Sequence, residues 1–363
     1  MGKEWSMRAY REGDEDRIFE LFKAVYPENE YDYSKWLRWW HWMYNDNPAG
    51  PGLIFVAEDS GTIVGQYPLI FMQMKVGDEI MRVAQNINLM THPDYGHQGI
   101  FKTLEKTALD QIDRQGVRIT IGFPNEPSYP GHKKSGWFDI SNMKIMYRPL
   151  NWRESIGLGI RNRLLSGFFA IGAILVFDLV LNGVLRRTRK LPAIEGLSVT
   201  RVSSFDERID ALWAKVANQF KIIVVRTKAY LNWRYGAPGA KYSMFVAEKA
   251  GVIQGYLISQ QKEGESGIKG SLIFDLVAQS EDVLHSLIRK LITDCRQNKV
   301  AIIQYPLIAN KTYHKVLKRN GFISLPFVKG DHFCAYSTLK DVSEQFLRNP
   351  DNWFVQIGDS DLI

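Results

Sequence analysis

Cysteine is scarce in this chain, and the marks of secreted and nucleic-acid-binding proteins are missing. Two cysteines, Cys295 and Cys334, occur in 363 residues, which excludes a disulfide framework and a Cys-based zinc site and favours a reducing compartment. The first sixteen residues, MGKEWSMRAYREGDED, lack the apolar core of a signal peptide, so we expect a cytoplasmic protein. No segment shows dense Lys/Arg clusters with interleaved aromatic residues, and we expect no nucleic-acid partner.

The chain has enough apolar residues to bury a large core. Hydrophobic residues make up 45% and charged residues 23%, which is typical of a globular protein and excludes a disordered or collagen-like chain. The length of 363 residues predicts two domains. The net charge of +7 is uneven: residues 1–150 carry −3, residues 151–195 carry +4 and residues 196–363 carry +6.

The most informative pattern is an internal repeat. Residues 55–65 read FVAEDSGTIVG and residues 245–255 read FVAEKAGVIQG, so seven of eleven positions are identical at an offset of 190. Each copy is an apolar strand, a turn with Gly at its tip and a second apolar strand, which predicts a β-hairpin. A Trp-rich segment upstream and an Asn…Gly-aromatic segment downstream recur in the same order. The shared order indicates two copies of one domain.

The repeat divides the chain into four parts. The first copy covers residues 1–150, a helical connector covers 151–195, the second copy covers 196–340 and a tail covers 341–363. Each copy is predicted to be α/β, with a sheet flanked by helices. In the first copy, Ser34 is the expected N-cap of a Trp-rich helix.

The connector contains a long apolar run. Residues 164–185 contain one charged residue, Asp178, and basic residues stand on both sides. The run is long enough to span a bilayer, but Asp178 and Asn182 share one helical face and a charge near mid-span is costly. We therefore expect first a buried or inter-subunit helix, as in a homodimer, second a helix lying on a membrane surface, and last a true span.

A candidate anion-binding loop follows the predicted strand that ends near Thr91. The segment from His92 to Leu104 reads HPDYGHQGIFKTL. Gly96 and Gly99 let the backbone approach a ligand closely, and the next helix offers free N–H groups and the positive end of its dipole to an anion. Lys102 in the first turn would suit a bound phosphate. An ordinary strand–helix turn has the same pattern, so that alternative stays open.

This segment resembles the acyl-CoA motif of the GNAT acyltransferase superfamily, in which a Pro-containing turn after a strand is followed by Arg/Gln-x-x-Gly-x-Gly/Ala and a helix. The hairpin and the Asn…Gly-aromatic segment agree along both copies, so the resemblance covers most of the chain. It implies two GNAT-like α/β domains from an internal duplication, each with a mixed, mostly antiparallel sheet flanked by helices. It also implies acetyl-CoA or another acyl-CoA as co-substrate, and no metal.

In that family the loop amides bind the CoA pyrophosphate, and pantetheine adds like a strand beside the splayed fourth strand. The resemblance therefore implies cofactor contacts at Leu89, Met90 and Thr91 for pantetheine, at Gly96, His97, Gln98, Gly99, Ile100 and Phe101 for the pyrophosphate, and at Asn125. Two positions depart from the family pattern. Gly96 replaces a basic or amide residue, which weakens the expected affinity, and Phe101 replaces a small residue, so we expect it to be a core side chain beneath the loop.

The equivalent point of the second copy differs. The segment from Val277 to Val283 has no glycine, and Glu281 and Asp282 stand at the helix start, where they would repel a pyrophosphate. We therefore expect one active site per chain and a degenerate second copy.

Acyl transfer from a thioester to an amine needs a base, an acid for the leaving thiolate and a donor for the oxyanion. In GNAT proteins the acid is often a Tyr four residues before the Gly-aromatic pair, where this chain has His132. Tyr129 lies three residues earlier, and either side chain can donate a proton. Both could instead be surface groups on a Pro-interrupted helix.

The base cannot be read from the sequence. Asn86 and Asn88 lie on the strand where family members sometimes carry a catalytic Glu, and neither is basic. Glu126 and Glu58 are candidates by location, and Glu58 is more readily a surface charge at a strand end. Many family members use a chain of waters, so a missing Glu does not exclude catalysis.

Two further features bear on the acceptor. Trp36, Trp39 and Trp40 share one helical face and could form an aromatic wall for a sugar or apolar acceptor, although a core stripe is the stronger expectation. In the tail, which resembles endings of tandem GNAT-like proteins found with cell-surface polysaccharide enzymes, Asp359 and Asp361 could reach the cleft or stay solvated.

The sequence thus predicts an acyl-CoA-dependent N-acyltransferase, in the first instance an N-acetyltransferase. A small-molecule amine, with an amino sugar or another envelope precursor as the leading candidate, would attack the thioester directly. The alternatives are a Fem-like aminoacyl transferase that takes its acyl group from tRNA, and a non-catalytic CoA-binding protein.

Overall fold

The computed structural model describes residues 4–28, 30–151, 194–264, 267–308, 311–324 and 330–360. We call residues 4–151 the first half and residues 194–360 the second half. The helices in these ranges are α1 (Glu15–Val25), α2 (Tyr33–Tyr44), α3 (Ile100–Arg114), α4 (Tyr129–Lys134), α5 (Arg208–Val216), α6 (Lys228–Arg234), α7 (Glu281–Gln297), α8 (Lys311–Arg319) and α9 (Glu344–Arg348).

The strands form a large, mostly antiparallel sheet. They are β1 (Ser6–Ala9), β2 (Leu53–Asp59), β3 (Thr62–Val76), β4 (Glu79–Asn86), β5 (Met90–Thr91), β6 (Ile119–Gly122), β7 (Phe138–Asn142), β8 (Lys144–Pro149), β9 (Leu197–Val202), β10 (Ile222–Val224), β11 (Ser243–Lys249), β12 (Val252–Glu263), β13 (Lys269–Ala278), β14 (Ile302–Ile308), β15 (Ile323–Ser324), β16 (His332–Ser337) and β17 (Trp353–Gln356). The predicted α/β fold with helices flanking the sheet is confirmed.

The two hairpins predicted by the repeat are present in the same register. In β2–β3, Ala57 lies opposite Gly65 and a bulge follows. In β11–β12, Ala247 lies opposite Gly255 and a bulge follows at the same place. The turns match as well: both central residues have positive φ, at 49° and 84° in Ser60–Gly61 and at 49° and 80° in Ala250–Gly251, as tight two-residue hairpins require.

Helices cover both faces of the first-half sheet. The buried sides of α1 and α2, including Phe19, Trp36 and Trp40, form one core against the sheet, and α3 packs on the opposite face. The N-cap of α2 is Asp32, whose carboxylate accepts a hydrogen bond from the Lys35 N–H at 3.1 Å. The prediction of Ser34 as the N-cap is therefore wrong by two residues, because Asp is as good a cap as Ser.

The two halves exchange strands. The predicted strand at 144–148 is present as β8, but it lies in the second-half sheet, where it pairs with β14 and β15. In return, β16 lies in the first-half sheet between β6 and β7, with Cys334 opposite Gly122 and Ala335 opposite Phe138. Each sheet is thus completed by a strand of the other half.

A pair of tryptophans forms a reciprocal contact between the halves. The Trp42 indole donates to the Trp233 carbonyl at 2.8 Å, and the Trp233 indole donates to the Trp42 carbonyl at 2.8 Å. Their rings stack with centroids 5.3 Å apart. A reciprocal contact of this kind is typical of a two-fold arrangement of equivalent units. Together with the matched hairpins it supports the duplication, which stays a prediction.

The connector at 151–195 lies almost entirely outside the described residues, and its apolar run at 164–185 lies wholly outside them. Among the helices that the structure describes, none has the length and apolar character needed to cross a bilayer.

The strand exchange predicts that neither half folds alone. A fragment ending at residue 151 leaves β6 and β7 without β16, and a fragment starting at 194 leaves β14 and β15 without β8, so both expose unpaired strand edges. We expect each purified fragment to aggregate, and the two refolded together to elute as a 1:1 complex in size-exclusion chromatography. A monomeric 1–151 fragment with a cooperative thermal transition like that of the intact chain would contradict the exchange.

Candidate functional site

A cleft opens in the first half where two parallel strands separate. β4 and β6 pair at Ala84–Thr120 and Gln85–Ile121. Beyond this point the chain leaves β4 for β5, which pairs with β3, while β6 ends at Gly122. The carboxyl ends of β4 and β6 therefore diverge, as predicted for a splayed strand. We call this opening the first cleft, and its apex lies at Asn86 and Gly122.

The predicted pantetheine residues follow the edge of the first cleft. Leu89 and Thr91 are half-buried. The Met90 side chain packs in the core beneath α1 and α2, and the residue pairs with Gln66 of β3, so the Met90 side chain does not face the cleft. Asn88 adopts a left-handed backbone with φ 49°, and its amide donates to the Tyr44 hydroxyl at 3.2 Å. This segment is the β4 edge that the sequence predicted to face the ligand.

The predicted loop borders the cleft at the start of α3. Gly96, His97, Gln98 and Gly99 are exposed. Gly99 is the N-cap of α3 with φ 79°, and no side chain caps the helix. A Cβ at Gly99 would meet no atom within 4 Å. The first turn carries no acidic residue, so its N–H groups and the helix dipole are available to an anion.

The two residues after Gly99 anchor the loop by packing against neighbouring elements. Ile100 is buried and lies so close to β3 that a Cβ at Gly65 would stand 2.6 Å from its Cγ2. Phe101 is half-buried, and a Cβ at Gly131 would stand 2.8 Å from its ring. Phe101 also lies edge-on to His132 at 5.2 Å. It packs against α4 and the core on the β3 side, and its expected place beneath the loop stays a prediction.

Four buried polar side chains meet at the apex of the first cleft. Asn86, His132, Tyr67 and Glu105 are each at most 5% exposed. The Asn86 amide nitrogen lies 2.6 Å from His132 Nε2 and 3.4 Å from the Tyr67 hydroxyl. The Tyr67 hydroxyl in turn donates to Glu105 Oε1 at 3.4 Å. We call these four residues the apex network.

His132 is therefore not a surface group. Its Nδ1 lies 3.0 Å from the Ser128 carbonyl oxygen, which can only accept, so Nδ1 carries the hydrogen and Nε2 accepts from Asn86. Burial lowers the pKa of His132, partly offset by the Ser128 bond, so the ring is neutral at pH 7. Its predicted role as a proton donor stays a prediction and requires that Nε2 first gain a hydrogen.

Tyr129 and Asn125 occupy the loop side of α4. The Tyr129 hydroxyl donates to Asp139 at 2.8 Å, which raises the pKa of the phenol. The ring stacks on His332 of β16 at 4.1 Å. Tyr129 thus faces away from His132, and its role as an acid stays a prediction. Asn125 is exposed, and its side-chain oxygen accepts from the Ser128 N–H at 3.0 Å, ahead of α4.

The base candidates lie in different places. Glu58 pairs with Arg8 and, at 3.3 Å, with Arg17, so it is the strand-end charge that the sequence suggested. Glu126 is exposed, with Oε1 3.5 Å from His332 Nε2. Asn86, which is not basic, lies at the apex itself, on the strand where family members sometimes carry a catalytic Glu.

The three tryptophans predicted to line the acceptor site do not share one environment. Trp36 and Trp40 stack on each other at 5.1 Å within the core, so the core stripe explains them. Trp39 is half-buried and lies edge-on to Tyr44 at 6.3 Å. An aromatic wall for an acceptor can therefore involve Trp39 alone of the three.

Sequence reasoning missed Glu105 and Tyr67. Glu105 lies on the buried stripe of α3 between Leu104 and Ala108, and a charged residue on such a stripe is the signal that could have identified it. Burial raises its pKa to about 7, with Ser135, Trp137 and Tyr67 partly offsetting the rise. Among the described residues, no group of three or more His, Cys, Asp or Glu side chains could hold a metal.

The corresponding cleft of the second half is filled. β13 and β14 pair in parallel at Gly270–Leu272 with Ile302–Gln304, and β17 then pairs with the end of β14. The Gln356 side chain accepts from the Leu276 N–H at 2.7 Å and donates to Asp275 at 2.6 Å. On its other edge β17 pairs with β10. Residues 356–359 thus lie between the ends of β13 and β14, at the place that corresponds to the first cleft.

Buried ion pairs fix this segment. The Arg226 guanidinium lies 2.9 Å from Asp275 and 2.7 Å from Asp359, all at most 2% exposed, and the two carboxylates raise the pKa of the arginine against the effect of burial. Arg234 donates to the Gly358 carbonyl at 2.7 Å. Asp359 therefore reaches the second-half cleft, whereas Asp361 lies outside the described residues.

The N-terminus of α7 is capped by a side chain and carries an ion-paired carboxylate. Ser280 caps the helix by accepting from the Val283 N–H at 3.4 Å. Glu281 pairs with Lys315 at 3.0 Å and Arg319 at 3.2 Å. The helix end that would face an anion is capped and carries a carboxylate, which agrees with the expectation drawn from Glu281 and Asp282.

A comparison with protein-family models identifies a domain in the first half. Residues 6–138 match the family model described as "Acetyltransferase (GNAT) domain". No curated protein matches the chain.

Solved structures resemble nearly the whole chain. A GCN5-related N-acetyltransferase from Anabaena variabilis matches with TM-score 0.63 and 12% identity, over 92% of this chain and 72% of that one. A protein of unknown function from Enterococcus faecalis, described as a probable N-acyltransferase, matches with TM-score 0.62 and 11% identity over the same shares, 92% and 72%. A GCN5-related N-acetyltransferase from Kribbella flavida matches with TM-score 0.61 and 11% identity over 92% and 70%. At these identities the likeness shows the fold.

The tight packing at the apex predicts that a side chain larger than that of glycine is not tolerated at position 122. A Cβ at Gly122 would collide with the Asn86 side chain and stand 3.1 Å from the Trp137 ring, so Gly122→Ala should lower the free energy of unfolding by about 1–3 kcal/mol. Gly96→Ala is the control, because the nearest atom to its Cβ lies 3.6 Å away. Urea denaturation measures both. Equal stability of the two variants would contradict this packing.

The buried Glu105 predicts a pH-dependent stability. Its pKa of about 7 lies above that of an unfolded glutamate, so the folded state holds the proton more tightly, and stability falls as pH rises from about 4.5 to 7. Glu105→Gln removes this penalty and should raise the free energy of unfolding by about 1–3 kcal/mol at pH 8 and leave it unchanged at pH 4.5. The exposed Asp110→Asn on the same helix is the control. A gain that is the same at both pH values would contradict the assignment.

Proposed function

We propose that this protein, whose residues 6–138 match the family model of the GNAT acetyltransferase domain, is an acyl-CoA-dependent N-acyltransferase, and in the first instance an N-acetyltransferase. The proposal places one catalytic site in each chain, at the first cleft. Its finer points, the acyl donor, the acceptor and the residues that move protons, go beyond the family match.

The observation that carries the proposal is the open first cleft beside Gly99. The left-handed glycine, the empty space around it and the uncapped start of α3 fit the pyrophosphate of a CoA thioester, because backbone N–H groups at a helix N-terminus bind phosphate oxygens. The divergence of β4 and β6 gives an extended pantetheine arm a strand edge to follow. The filled cleft and capped α7 of the second half support a single site.

The chemistry follows from the groups at the apex. The amine nitrogen attacks the thioester carbonyl and gives up a proton as the C–N bond forms, the C–S bond breaks, and the departing thiolate takes up a proton. Backbone N–H groups at the cleft edge would stabilise the developing oxyanion. His132 lies at the apex and Tyr129 is bonded to Asp139, so His132 is the better-placed proton carrier of the two.

The acceptor in this proposal is a small-molecule amine, and an amino sugar is the leading candidate. Of the three predicted tryptophans, Trp39 is the one that could pack against a sugar ring, since Trp36 and Trp40 are core residues. The buried tail no longer argues for a particular acceptor. Contact with a membrane surface or with a second copy through residues 164–185 remains part of the proposal.

Calorimetric titration with acetyl-CoA tests the proposal. We expect one site per chain, and at least a tenfold weaker affinity in Gly99→Glu, because the new carboxylate would face the pyrophosphate. Gly116→Glu is a matched control: Gly116 has φ 78°, stands at the other end of α3 and has equally open surroundings. Its affinity should equal that of the wild type.

Other outcomes separate the alternatives. Two sites per chain would overturn the single-site proposal. No binding, with aminoacyl-tRNA bound instead, would favour a Fem-like aminoacyl transferase. Binding without acyl transfer to any amine of a broad library, unchanged in His132→Ala and Tyr129→Phe, would favour a non-catalytic CoA-binding role.

A further inference from the structure

Asn88 has a backbone conformation that is uncommon outside glycine. Its φ of 49° lies in the left-handed region, which other L-residues adopt only at some cost. The residue stands between the pair Asn86–Leu69 of β4 with β3 and the pair Met90–Gln66 of β5 with β3. Four steps along this segment face three steps along β3, so the segment contains one extra residue, as in a β-bulge.

Pro68 accounts for the place of the extra residue. The Ile87 N–H donates to the Pro68 carbonyl at 3.3 Å, so the edge of Pro68 that lacks an N–H faces the same segment. Proline therefore cannot complete the ladder at this point. Among the residues that the structure describes, none accepts a hydrogen bond from the N–H of Asn88 or of Leu89, and pairing with β3 resumes at Met90.

Two buried side chains hold Asn88 in this conformation. Its carbonyl oxygen accepts from Gln66 Nε2 at 2.9 Å, and its amide nitrogen donates to the Tyr44 hydroxyl at 3.2 Å. Gln66 and Tyr44 are each 2% exposed, and the Tyr44 ring packs against that of Trp40 with centroids 4.3 Å apart. The left-handed residue is therefore fixed from β3 and from α2 at once.

The edge of this segment that faces away from β3 borders the first cleft. Along an extended strand, backbone N–H groups alternate between the two edges. The Ile87 N–H points to β3, so the Asn88 N–H is directed to the opposite edge, where β6 separates from β4 after the pair Gln85–Ile121. Successive N–H groups at a left-handed residue can form a concavity that binds an oxygen atom with negative charge.

We propose that the Asn88 side chain is a positioning group, which keeps the N–H groups of Asn88 and Leu89 directed at the acyl carbonyl oxygen of a bound thioester, with Tyr44 and Gln66 as its anchors. The inference rests on the proposed function, because it assumes an acyl-CoA in the first cleft. Free CoA has no acyl carbonyl oxygen. The arrangement therefore lets the cleft bind the acylated donor more tightly than the CoA that remains after transfer.

Calorimetric titration of the full-length chain with acetyl-CoA and with CoA tests the proposal without an acceptor. We expect the wild type to bind acetyl-CoA about fivefold more tightly than CoA, because one or two hydrogen bonds to the carbonyl contribute about that much. In Asn88→Ala this ratio should fall to about one, since alanine disfavours a left-handed backbone. Asn88→Gly should keep most of the ratio, because glycine adopts this φ without strain. Tyr44→Phe should lower the ratio and leave the affinity for CoA unchanged.

The carbonyl 13C shift of bound acetyl-CoA labelled at that carbon provides a spectroscopic readout. Hydrogen bonds to the oxygen move this resonance downfield, so we expect the wild type and Asn88→Gly to show a larger shift from the free ligand than Asn88→Ala. A merely structural role of Asn88 would lower the affinities for acetyl-CoA and CoA together and leave the shift as it is in the wild type.

Lys299 provides a matched control, because it is exposed, has φ 57° and lies after α7 in the second half. At both positions the Ala variant should unfold at a lower urea concentration than the Gly variant, but the affinity ratio should change at position 88 alone. Equal ratios in Asn88→Ala and Asn88→Gly, equal urea midpoints of these two variants, or equal affinities of the wild type for acetyl-CoA and CoA would overturn the proposal. Failure of the wild type to bind either compound would instead overturn the proposed function.

Discussion

The reciprocal strand exchange is the constraint on which the rest of the structure depends. Hydrogen bonds from β8 to β14 and from β16 to β6 and β7 complete each sheet with a strand of the other half. Residues from a distant part of the sequence therefore line the first cleft: Cys334 lies opposite Gly122, the Tyr336 ring lies 6.2 Å from that of Trp137, and His332 stacks on Tyr129. The candidate site belongs to the intact chain, not to either half.

The two halves share one fold but differ in their clefts. Both contain the same hairpin and a pair of parallel strands that diverge, yet the first cleft is open and the second is filled by residues 353–360. The difference comes from a few residues. A left-handed glycine opens α3, whereas a serine cap and an ion-paired Glu281 close α7. The buried Arg226 ion pairs hold the tail in place because breaking them would leave a buried charge uncompensated.

Features that depend on short stretches of sequence could be predicted. The hairpins, the loop from Gly96 to Gly99 and the start of α3 followed from turn residues, glycines and apolar periodicity. The strand exchange could not be predicted, because β8 has the same pattern in either sheet and its partner is set by pairing over some 150 residues. Glu105 was overlooked because a glutamate on an amphipathic helix normally faces water, and its burial depends on the exchanged β16.

Hydrogen–deuterium exchange with saturating acetyl-CoA tests the central claim, that one of two similar clefts is a ligand site and the other is closed. We predict slower amide exchange at residues 87–91 and 96–103 and no change at residues 276–284. Protection at 276–284, or no protection beside Gly99, would contradict this division between the halves.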